Sequence, residues 1–437
     1  MNRADVHRSI EAVWRIESAR LIACLARLTG GLAVAEELAQ DALVSALETW
    51  PKSGIPDKPG AWLMAAARNR AIDHLRRRRF LAEKHRQLGH EIDLAHAPDG
   101  PDTGPDLADP MGDDLLRLIF TACHPVLSTD ARVALTLKLV CGLSTGEIAR
   151  AFLAAEPTVA QRIVRAKRTL TEARVPFELP PGPELGARLA SVLEVIYLVF
   201  NEGYTATRGG DWVRPGLCDE ALRLGRILAE LAPNEPEVHG LVALMEIQSS
   251  RLRARTTATG DPILLLDQDR SRWDPLLIQR GLAALERAEA IAGTLGPYAL
   301  QAAIASCHAR ARTAEQTDWG RIAALYDALA QVAPSPVVEL NRAVAVGMAF
   351  GPAAGLEMVD ALHTEPRLQQ YHLLPSVRGD LLRKLGRNED AREAFRQAAE
   401  LTGNERERQL LLRRAAQCAD ANDDHASDQR GRTKTSH

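Results

Sequence analysis

The amino-acid sequence predicts an all-α protein built from several domains. Apolar residues fill 46% of its 437 positions and aromatic residues only 4%, so most of the apolar content is Ala, Leu and Val. Ala and Leu favour helices, whereas strands are enriched in aromatic and β-branched residues. The length corresponds to roughly three domains at about 150 residues each.

The net charge of −3 is a poor guide to the partners of this chain, because its charges are segregated. Eight Lys or Arg and only two acidic residues lie between Arg68 and Arg86, whereas residues 91–114 hold eight Asp or Glu and no Lys or Arg. Four consecutive arginines at 76–79 favour contact with phosphate over a merely solvated surface. The basic segment therefore indicates nucleic-acid binding.

The sequence gives no sign of a metal centre, a disulfide framework or a membrane segment. Its six cysteines include no Cys-x-x-Cys pair, so we expect buried thiols and no bound metal or other cofactor. The N-terminal residues lack the basic and then apolar run of a secretory signal. Arg188 and Glu194 interrupt the most apolar stretch, which is too short to cross a bilayer. We therefore expect a cytoplasmic protein.

Residues 5–90 are predicted to form three helices. The first carries an apolar stripe at helical spacing, formed by Val6, Ile10, Val13, Ile16 and Leu21. The second and third are AEELAQDALVSALETW (35–50) and AWLMAAARNRAIDHLRRRRF (61–80), and prolines at 51, 56 and 59 separate them. Residues 91–112 are acidic and rich in Pro and Gly, which predicts a linker.

A helix-turn-helix is predicted within residues 113–175. Ser144 or Thr145 caps a short apolar helix together with Glu147, a turn follows, and Pro157 occupies the first turn of the next helix. The polar face of that helix carries Gln161, Arg162, Arg165, Lys167 and Arg168, and its apolar face carries Val159, Ile163, Val164 and Leu170. Such a helix packs on its own domain and presents hydrogen-bond donors to a major groove.

Residues 184–418 are predicted to form a helical repeat domain of the tetratricopeptide type. The similar segments LAELAP and LAQVAP end at Pro233 and Pro334, and their separation of 101 residues equals about three units of 34 residues. A later segment has the spacing of one unit, with small residues at Gly386 and Ala391 and with Phe395 filling the groove between two helices. Residues 419–437 are predicted to be a disordered tail.

The motifs of residues 5–174, in this order, resemble the extracytoplasmic-function (ECF) sigma factors of bacterial RNA polymerase. The resemblance rests on AEELAQDAL, AWLMAAARNRAIDHLRRRRF, the acidic linker and STGEIARAF…PTVAQRIVRAKRTL. It implies two small helical sigma domains, region 2 at 5–90 and region 4 at 113–175, with core RNA polymerase and promoter DNA as partners. It also implies that Glu37, Gln40 and Asp41 contact the clamp coiled coil of the largest polymerase subunit. Alternatively, these residues are only the wet face of an amphipathic helix.

The same resemblance assigns the −10 promoter element to the third helix. The residues that it implies near opened DNA are Trp62, Asn69, Asp73, Arg76 and Arg77. Asn and Asp can bind exposed base edges, arginines can hold the backbone, and an aromatic ring can stack on an unpaired base. Two alternatives stay open: Asp73 can pair with Arg76 or Arg77 one turn away, and Trp62 and Phe80 can belong to the core.

The second helix of the helix-turn-helix is the implied reader of the −35 element. Seven residues are implied near DNA: Thr158, Ala160, Gln161, Arg162, Arg165, Lys167 and Arg168. Lys167 and Arg168 are expected on phosphates, and Arg162 is the first choice for a base contact because arginine to guanine is the commonest specific pairing. Ala160 and Gln161 stand where family members often carry Lys and Ser, which leaves the base preference open. The acidic linker is either the family's connector toward the RNA exit channel or a plain tether.

The C-terminal half resembles the extension of one sigma-factor subfamily, which carries tetratricopeptide-like helices. Helical repeats form concave binding surfaces, so we expect a protein partner or docking onto the sigma domains. Two polar interruptions, NEGYTAT (201–207) and DQDRSRWD (267–274), mark either a ligand or docking site or ordinary loops with capping Asp and Asn.

Two other classes of protein compete with a sigma factor. An enzyme would use the carboxylates of DQDRSRWD, but the sequence has no nucleophile and base set, no strong metal spacing and no Gly-rich phosphate loop. A helix-turn-helix regulator with a ligand- or protein-binding helical domain is closer, but it does not need the AEELAQDAL helix. We therefore expect a non-enzymatic sigma factor that initiates transcription of a limited gene set, with its extension modulating activity or binding a partner.

Overall fold

The computed structural model describes the backbone of residues 3–87, 110–152 and 154–432, which divide into two compact units at Ile196. Within these ranges every regular element is a helix, and only two isolated bridges of extended backbone occur. The predicted all-α class is confirmed. None of the helices in the described part of the chain has the length and apolarity needed to cross a membrane.

Three long helices open the first unit: α1 (Arg3–Thr29), α2 (Leu32–Ser53) and α3 (Pro59–Gln87). Alanines line their contacts, since Ala26, Ala39 and Ala67 are fully buried and small enough to let helix backbones approach. The predicted apolar stripe of α1 is wrong at Ile16, which is 68% exposed. Six residues after the buried Ile10, the helix has turned by about 240°, so Ile16 points away from the core.

Five further helices follow: α4 (Pro110–Ala122), α5 (Thr129–Leu139), α6 (Thr145–Ala151), α7 (Glu156–Glu172) and α8 (Gly182–Tyr204). α4 begins inside the range predicted as linker (91–112), because the fixed φ and missing N–H of Pro110 suit a first helical position. The prediction of a linker is therefore wrong for residues 110–112. Its other residues, 91–109, lie outside the described part of the chain.

The helix-turn-helix is formed by α6 and α7. Ser144 Oγ accepts a hydrogen bond from the Glu147 backbone N–H at 3.2 Å, and the Glu147 carboxylate accepts one from the Ser144 N–H at 2.7 Å. This reciprocal pair is a capping box, so Ser144 rather than Thr145 is the cap. Pro157 is the second residue of α7, where its missing N–H leaves no helical hydrogen bond unmade. Local sequence therefore sets both ends of the turn.

The second unit continues from the end of α8 through ten helices. They are α9 (Pro215–Leu231), α10 (Pro236–Ser249), α11 (Pro275–Ile291), α12 (Pro297–Arg310), α13 (Trp319–Val332), α14 (Pro336–Phe350), α15 (Pro352–Ala361), α16 (Leu373–Lys384), α17 (Asn388–Leu401) and α18 (Glu405–Arg432). Six of these helices begin with proline, which fixes φ for the first turn. In these six helices proline therefore marks the start.

The predicted count of repeat units between Pro233 and Pro334 is wrong. Four helices, α10–α13, occupy this interval, which amounts to two helical pairs instead of three. The remaining length belongs to residues 250–274, where only three short 3₁₀ turns interrupt an irregular backbone. A match in length alone could not distinguish a third helical pair from this insertion.

The predicted groove around Phe395 is present. Phe395 on α17 is fully buried, and a Cβ on Gly379 of α16 would lie only 2.8 to 3.0 Å from its ring atoms. The absent side chain of Gly379 therefore makes room for the ring. Gly386 joins the two helices with a positive φ of 74°, a conformation that favours glycine.

The predicted disordered tail (419–437) is wrong over most of its length. Helix α18 continues to Arg432, and residues 433–437 lie outside the described part of the chain. The segment contains several alanines and no proline, and its one glycine comes next to the end of the helix. Nothing in the sequence therefore stops the helix once α18 has started.

Candidate nucleic-acid interface

The outer face of α2 is a stripe of polar side chains. Glu37, Gln40 and Asp41 are all exposed, and Val44 continues the stripe with half of its surface open. The spacing of these positions puts them on one face, while Leu38 on the other side is buried. The structure therefore brings together the three residues predicted to bind polymerase. It adds Val44, an exposed apolar residue that the sequence analysis did not select.

The outer face of α3 carries four of the residues predicted at the −10 element. Asn69, Asp73, Arg76 and Arg77 are exposed, and the inner face of α3 is buried. Asp73 Oδ1 and Arg76 Nη1 are 4.0 Å apart, with both side chains mostly open to solvent. Exposed ion pairs contribute about 0 to 1 kcal/mol, so this contact does not commit either residue to a structural role.

The two aromatic residues that border the basic helix have different surroundings. Trp62 is partly buried, and its ring stands edge-on to the buried Trp50 with centroids 5.5 Å apart. Phe80 is 65% exposed, and Lys84 Nζ lies 5.8 Å from its ring centre. Trp62 thus belongs partly to the core, as one of the alternatives held. Phe80 does not belong to the core and presents an open ring.

Helix α7 buries one face and exposes the other. Val159, Ile163 and Leu170 are buried as predicted. The assignment of Val164 to the apolar face is wrong, since this side chain is 63% exposed. One residue turns a helix by about 100°, so Val164 leaves the core and shares the outer face with Gln161 and Arg168. Among the predicted contacts, the exposed ones are Thr158, Ala160, Gln161, Arg165 and Arg168.

Arg162, the residue expected to read a base, binds an acid of its own domain. Its Nη2 lies 3.1 Å from Oδ2 of Asp130, in the first turn of α5. About a third of the Arg162 side chain and most of the Asp130 side chain are exposed. Coulomb attraction at such exposure is weak, so a phosphate or a guanine edge can replace this carboxylate.

Lys167 does not reach the exposed face of α7. Its ammonium contacts Oε2 of Glu36 on α2, and both side chains are largely buried. Lys167 follows the buried Ala166, so its stem lies beside the core and its ammonium forms an ion pair with Glu36. The expected phosphate contact at Lys167 stays a prediction, and it requires that Lys167 first separates from Glu36.

A second ion-pair cluster joins α1 to α4. Oδ2 of the buried Asp114 accepts from Arg27 Nε at 2.9 Å, and Oδ1 accepts from Arg117 Nη1 at 2.7 Å. The hydrogen bond to the carboxylate raises the pKa of Arg27. Both carboxylate oxygens of Asp114 are therefore bonded to arginines. This cluster joins α1 to α4 and the Lys167–Glu36 pair joins α2 to α7, so the two contacts connect helices α1–α3 to helices α4–α7.

Among the described residues, no group of three or more His, Cys, Asp or Glu side chains lies close enough together to hold a metal ion. All six cysteines are buried as thiols. Burial raises the pKa of Cys123 to about 11, so its thiol stays protonated at neutral pH.

Comparisons with known proteins match separate parts of the chain. Residues 15–80 match Sigma-70 region 2, residues 117–170 match Sigma-70 region 4, and residues 188–289 match a family of unknown function, DUF6596. An uncharacterized protein of Rhizobium meliloti (strain 1021) is 46% identical over 87% of this chain and 89% of its own length. No solved structure matches the chain.

Two relatives from Mycobacterium tuberculosis (strain ATCC 25618 / H37Rv) each match part of the chain. The ECF RNA polymerase sigma factor SigL is 32% identical over 33% of this chain and 76% of its own length. The probable ECF RNA polymerase sigma factor SigI is 28% identical over 40% of this chain and 59% of its own length. The chain therefore belongs to the ECF sigma-factor family and carries a C-terminal helical extension. Binding to RNA polymerase and DNA in transcription initiation follows from this membership.

Proposed function

We propose that this chain is an alternative sigma factor that reads −10 elements with α3 and −35 elements with α7, and that it directs core polymerase to a limited set of promoters. One observation carries the proposal: three exposed helix faces of different chemistry occur within a single compact unit. The face on α2 is acidic and polar, the face on α3 is basic, and the face on α7 combines hydrogen-bond donors with an exposed valine.

The stripe on α2 is assigned to core polymerase. Two carboxylates and an amide at one-turn spacing give charge complementarity to a basic protein surface, and Val44 supplies an apolar contact beside them. DNA is an unfavourable partner for this face, because Glu37 and Asp41 would repel phosphates. A repressor has no use for such a stripe, which favours the sigma factor over the helix-turn-helix regulator.

The basic face of α3 is assigned to the −10 element. Arg76 and Arg77 are exposed and suit contact with the phosphate backbone, while Asp73 and Asn69 lie one and two turns earlier, respectively, where they can bond with base edges of opened strands. Trp62 has one side anchored in the core and offers the other to an unpaired base. An opened strand then follows the helix from Trp62 toward its C-terminal half.

The outer face of α7 is assigned to the −35 element. Arg162 reads a guanine after exchanging Asp130 for the base, with Gln161 and Arg165 beside it. Thr158 and Ala160, at the start of the helix, are small enough to let the backbone approach the groove floor. Arg168 binds phosphate directly, and Lys167 does so only after it separates from Glu36.

The extension is assigned a modulating role, exerted through a partner or through the sigma modules. Deletion of residues 208–437 tests this role while retaining helix α8. Retention matters because the buried Arg132 donates to Ser191 Oγ at 2.5 Å and to Glu194 Oε2 at 3.0 Å, both on α8. We expect the deletion to change the transcript yield and to leave the choice of promoters unchanged. An unaltered yield would contradict the modulating role.

In vitro transcription with core polymerase and a genomic promoter library tests the proposed function. The expected result is a small set of transcripts whose start sites share −10 and −35 sequences and that disappear when the protein is omitted. Well-folded protein that gives no promoter-dependent transcript would contradict the proposal. DNA binding that needs no core polymerase and yields no transcript would indicate the helix-turn-helix regulator.

A further inference from the structure

Arg251, in the second unit, is a buried cation without an acidic partner. It follows helix α10, and only 7% of its surface is exposed. Nη2 donates to the Tyr204 hydroxyl at 2.7 Å and to Oε1 of Gln248, while Nε has no acceptor. No carboxylate in the described part of the chain forms an ion pair with it. Buried guanidinium groups are usually paired with anions, so Arg251 is poised for an anion from outside the chain.

Arg251 lines a cavity of about 260 Å³ that lies wholly within the second unit. Phe200, Leu244 and Ile304 provide apolar walls, and no Asp or Glu lines the cavity within the described part of the chain. A cavity of about 150 Å³ already holds benzene, so this one has room for a ring with a polar substituent. Apolar walls with a few convergent polar groups are typical of small-molecule sites.

A second buried polar group faces the same cavity. His308 on α12 is only 7% exposed, and its Nδ1 has no hydrogen-bond partner. Burial and the nearby Arg251 and Arg270 lower the pKa of His308 to about 4, so the imidazole is neutral at physiological pH. A neutral imidazole can donate one hydrogen bond to an anion without adding charge.

Two further arginines strengthen the positive field around the cavity. The Arg255 guanidinium lies 3.6 Å from the Tyr204 ring centre, and Arg270 donates to the carbonyl oxygens of His308 and Ala311 at 2.6 and 2.7 Å. Neither arginine forms an ion pair among the described residues, although Glu315, exposed to solvent, attracts Arg270 from a distance. Like charges around a buried site favour an anionic ligand.

The two polar interruptions of the sequence meet at this place. NEGYTAT contributes Asn201 and Tyr204 to the cavity lining. DQDRSRWD contributes the buried Trp273, whose ring centre lies 5.6 Å from the Arg251 guanidinium and 4.9 Å from that of Arg270. Segments more than sixty residues apart therefore cooperate to hold Arg251 in position.

We propose that this cavity binds a small organic carboxylate, whose anionic group pairs with Arg251 and whose apolar part packs against Phe200, Leu244 and Ile304. A single buried guanidinium that forms no ion pair among the described residues, and whose Nε has no acceptor, matches the charge of a monoanion. A phosphate dianion would carry one negative charge more than Arg251, the cation of the described cavity lining, can neutralise. This assignment concerns binding by the extension and does not depend on the proposed promoter contacts.

Fluorine NMR on the full-length protein tests the proposal with 4-fluorobenzoate and its neutral isostere, 4-fluorobenzamide. We expect saturable binding of the benzoate and about tenfold or more weaker binding of the benzamide, because a hydrogen bond from arginine to a charged group is stronger than one to a neutral group. Equal affinity for the two probes, or no saturable benzoate binding at millimolar concentration, would overturn the proposal. Tighter binding of inorganic phosphate, measured by competition, would also overturn it.

Three variants locate the site. Arg251→Gln should remove the preference for benzoate, whereas Arg253→Gln, at an exposed arginine two residues away, should leave it intact. Ala305→Leu fills the cavity and keeps Arg251, so both probes should lose binding. Circular dichroism tests whether each variant is folded. If Arg251→Gln does not fold, Ala305→Leu is the variant that decides whether the ligand binds in this cavity. Benzoate bound by Ala305→Leu as tightly as by the wild type would place the ligand elsewhere.

Discussion

The two units of the molecule use arginine in opposite ways. In the first unit, Arg76, Arg77 and Arg165 stand on open helix faces, where water screens their charge. In the second unit, Arg251 is buried beside an apolar cavity. Open cations at helical spacing suit a long polyanion that is held by many weak, salt-sensitive contacts. A single buried cation suits one small anion, because low polarity strengthens each electrostatic contact.

The largest effect is expected from Asp41→Arg on α2. Reversing a charge in the centre of the acidic stripe should weaken binding to core polymerase by about tenfold or more, because like charges then meet across the interface. Titration of labelled protein with core polymerase measures the change. Asp57→Arg is the matched control, since Asp57 is exposed but lies in the loop after α2. Equal losses in both variants would show that net charge, and not the stripe, determines binding.

A comparable but more selective effect is expected from Arg162→Ala. Loss of a bidentate contact to guanine costs about 1 to 3 kcal/mol, so the preferred −35 sequence should lose about tenfold of its advantage over a single-base variant. Competition between two promoters in transcription measures this advantage. Arg20→Ala, at an exposed arginine of α1, is the control. Unchanged discrimination in Arg162→Ala would remove Arg162 from the base-reading face.

A few-fold effect is expected from Glu36→Gln, because this change releases Lys167 for phosphate. The affinity of the chain for −35 duplex should rise about twofold to fivefold, and the salt dependence should steepen by about one counterion. Fluorescence anisotropy at several salt concentrations measures both quantities. Lys167→Gln alone should not steepen the salt dependence. If Glu36→Gln leaves it unchanged, Lys167 does not bind phosphate at all.

The smallest effect is expected from Val164→Ala. If Val164 contacts a thymine methyl, replacing thymine by uracil in the −35 element should weaken wild-type binding about twofold to threefold and should not affect the variant further. The same anisotropy assay measures both proteins on both duplexes. If the uracil substitution weakens binding of the variant as much as binding of the wild type, Val164 does not contact the thymine methyl.

The sequence predicted the first unit better than the second, for a physical reason. Helical periodicity assigns residues such as Asn69 and Arg165 to an open face without knowledge of any other helix. It failed at Val164 and gave no sign of the ion pair at Lys167, because the boundary between faces depends on what packs beside α7. Glu36 and Asp130 carry no local signal of their partners, because both contacts join different helices.

The cavity around Arg251 could not be derived from the sequence at all. NEGYTAT and DQDRSRWD were recognisable only as polar interruptions, for which ordinary loops were the favoured explanation. Their meeting depends on the irregular segment 250–274, which a repeat of fixed length cannot describe. Arg251 itself lies in neither motif. Periodicity finds surfaces that one helix presents, whereas a cavity is formed by several distant segments together.

Transcription from one promoter with separately scrambled elements tests the central claim most directly. The claim is that recognition of DNA belongs to α3 and α7 of the first unit. With core polymerase and the full-length chain, scrambling either the −10 or the −35 element should abolish most of the transcript. Arg162→Ala should tolerate a changed −35 base and stay sensitive to the −10 element. A transcript that survives both scrambled elements would contradict the account.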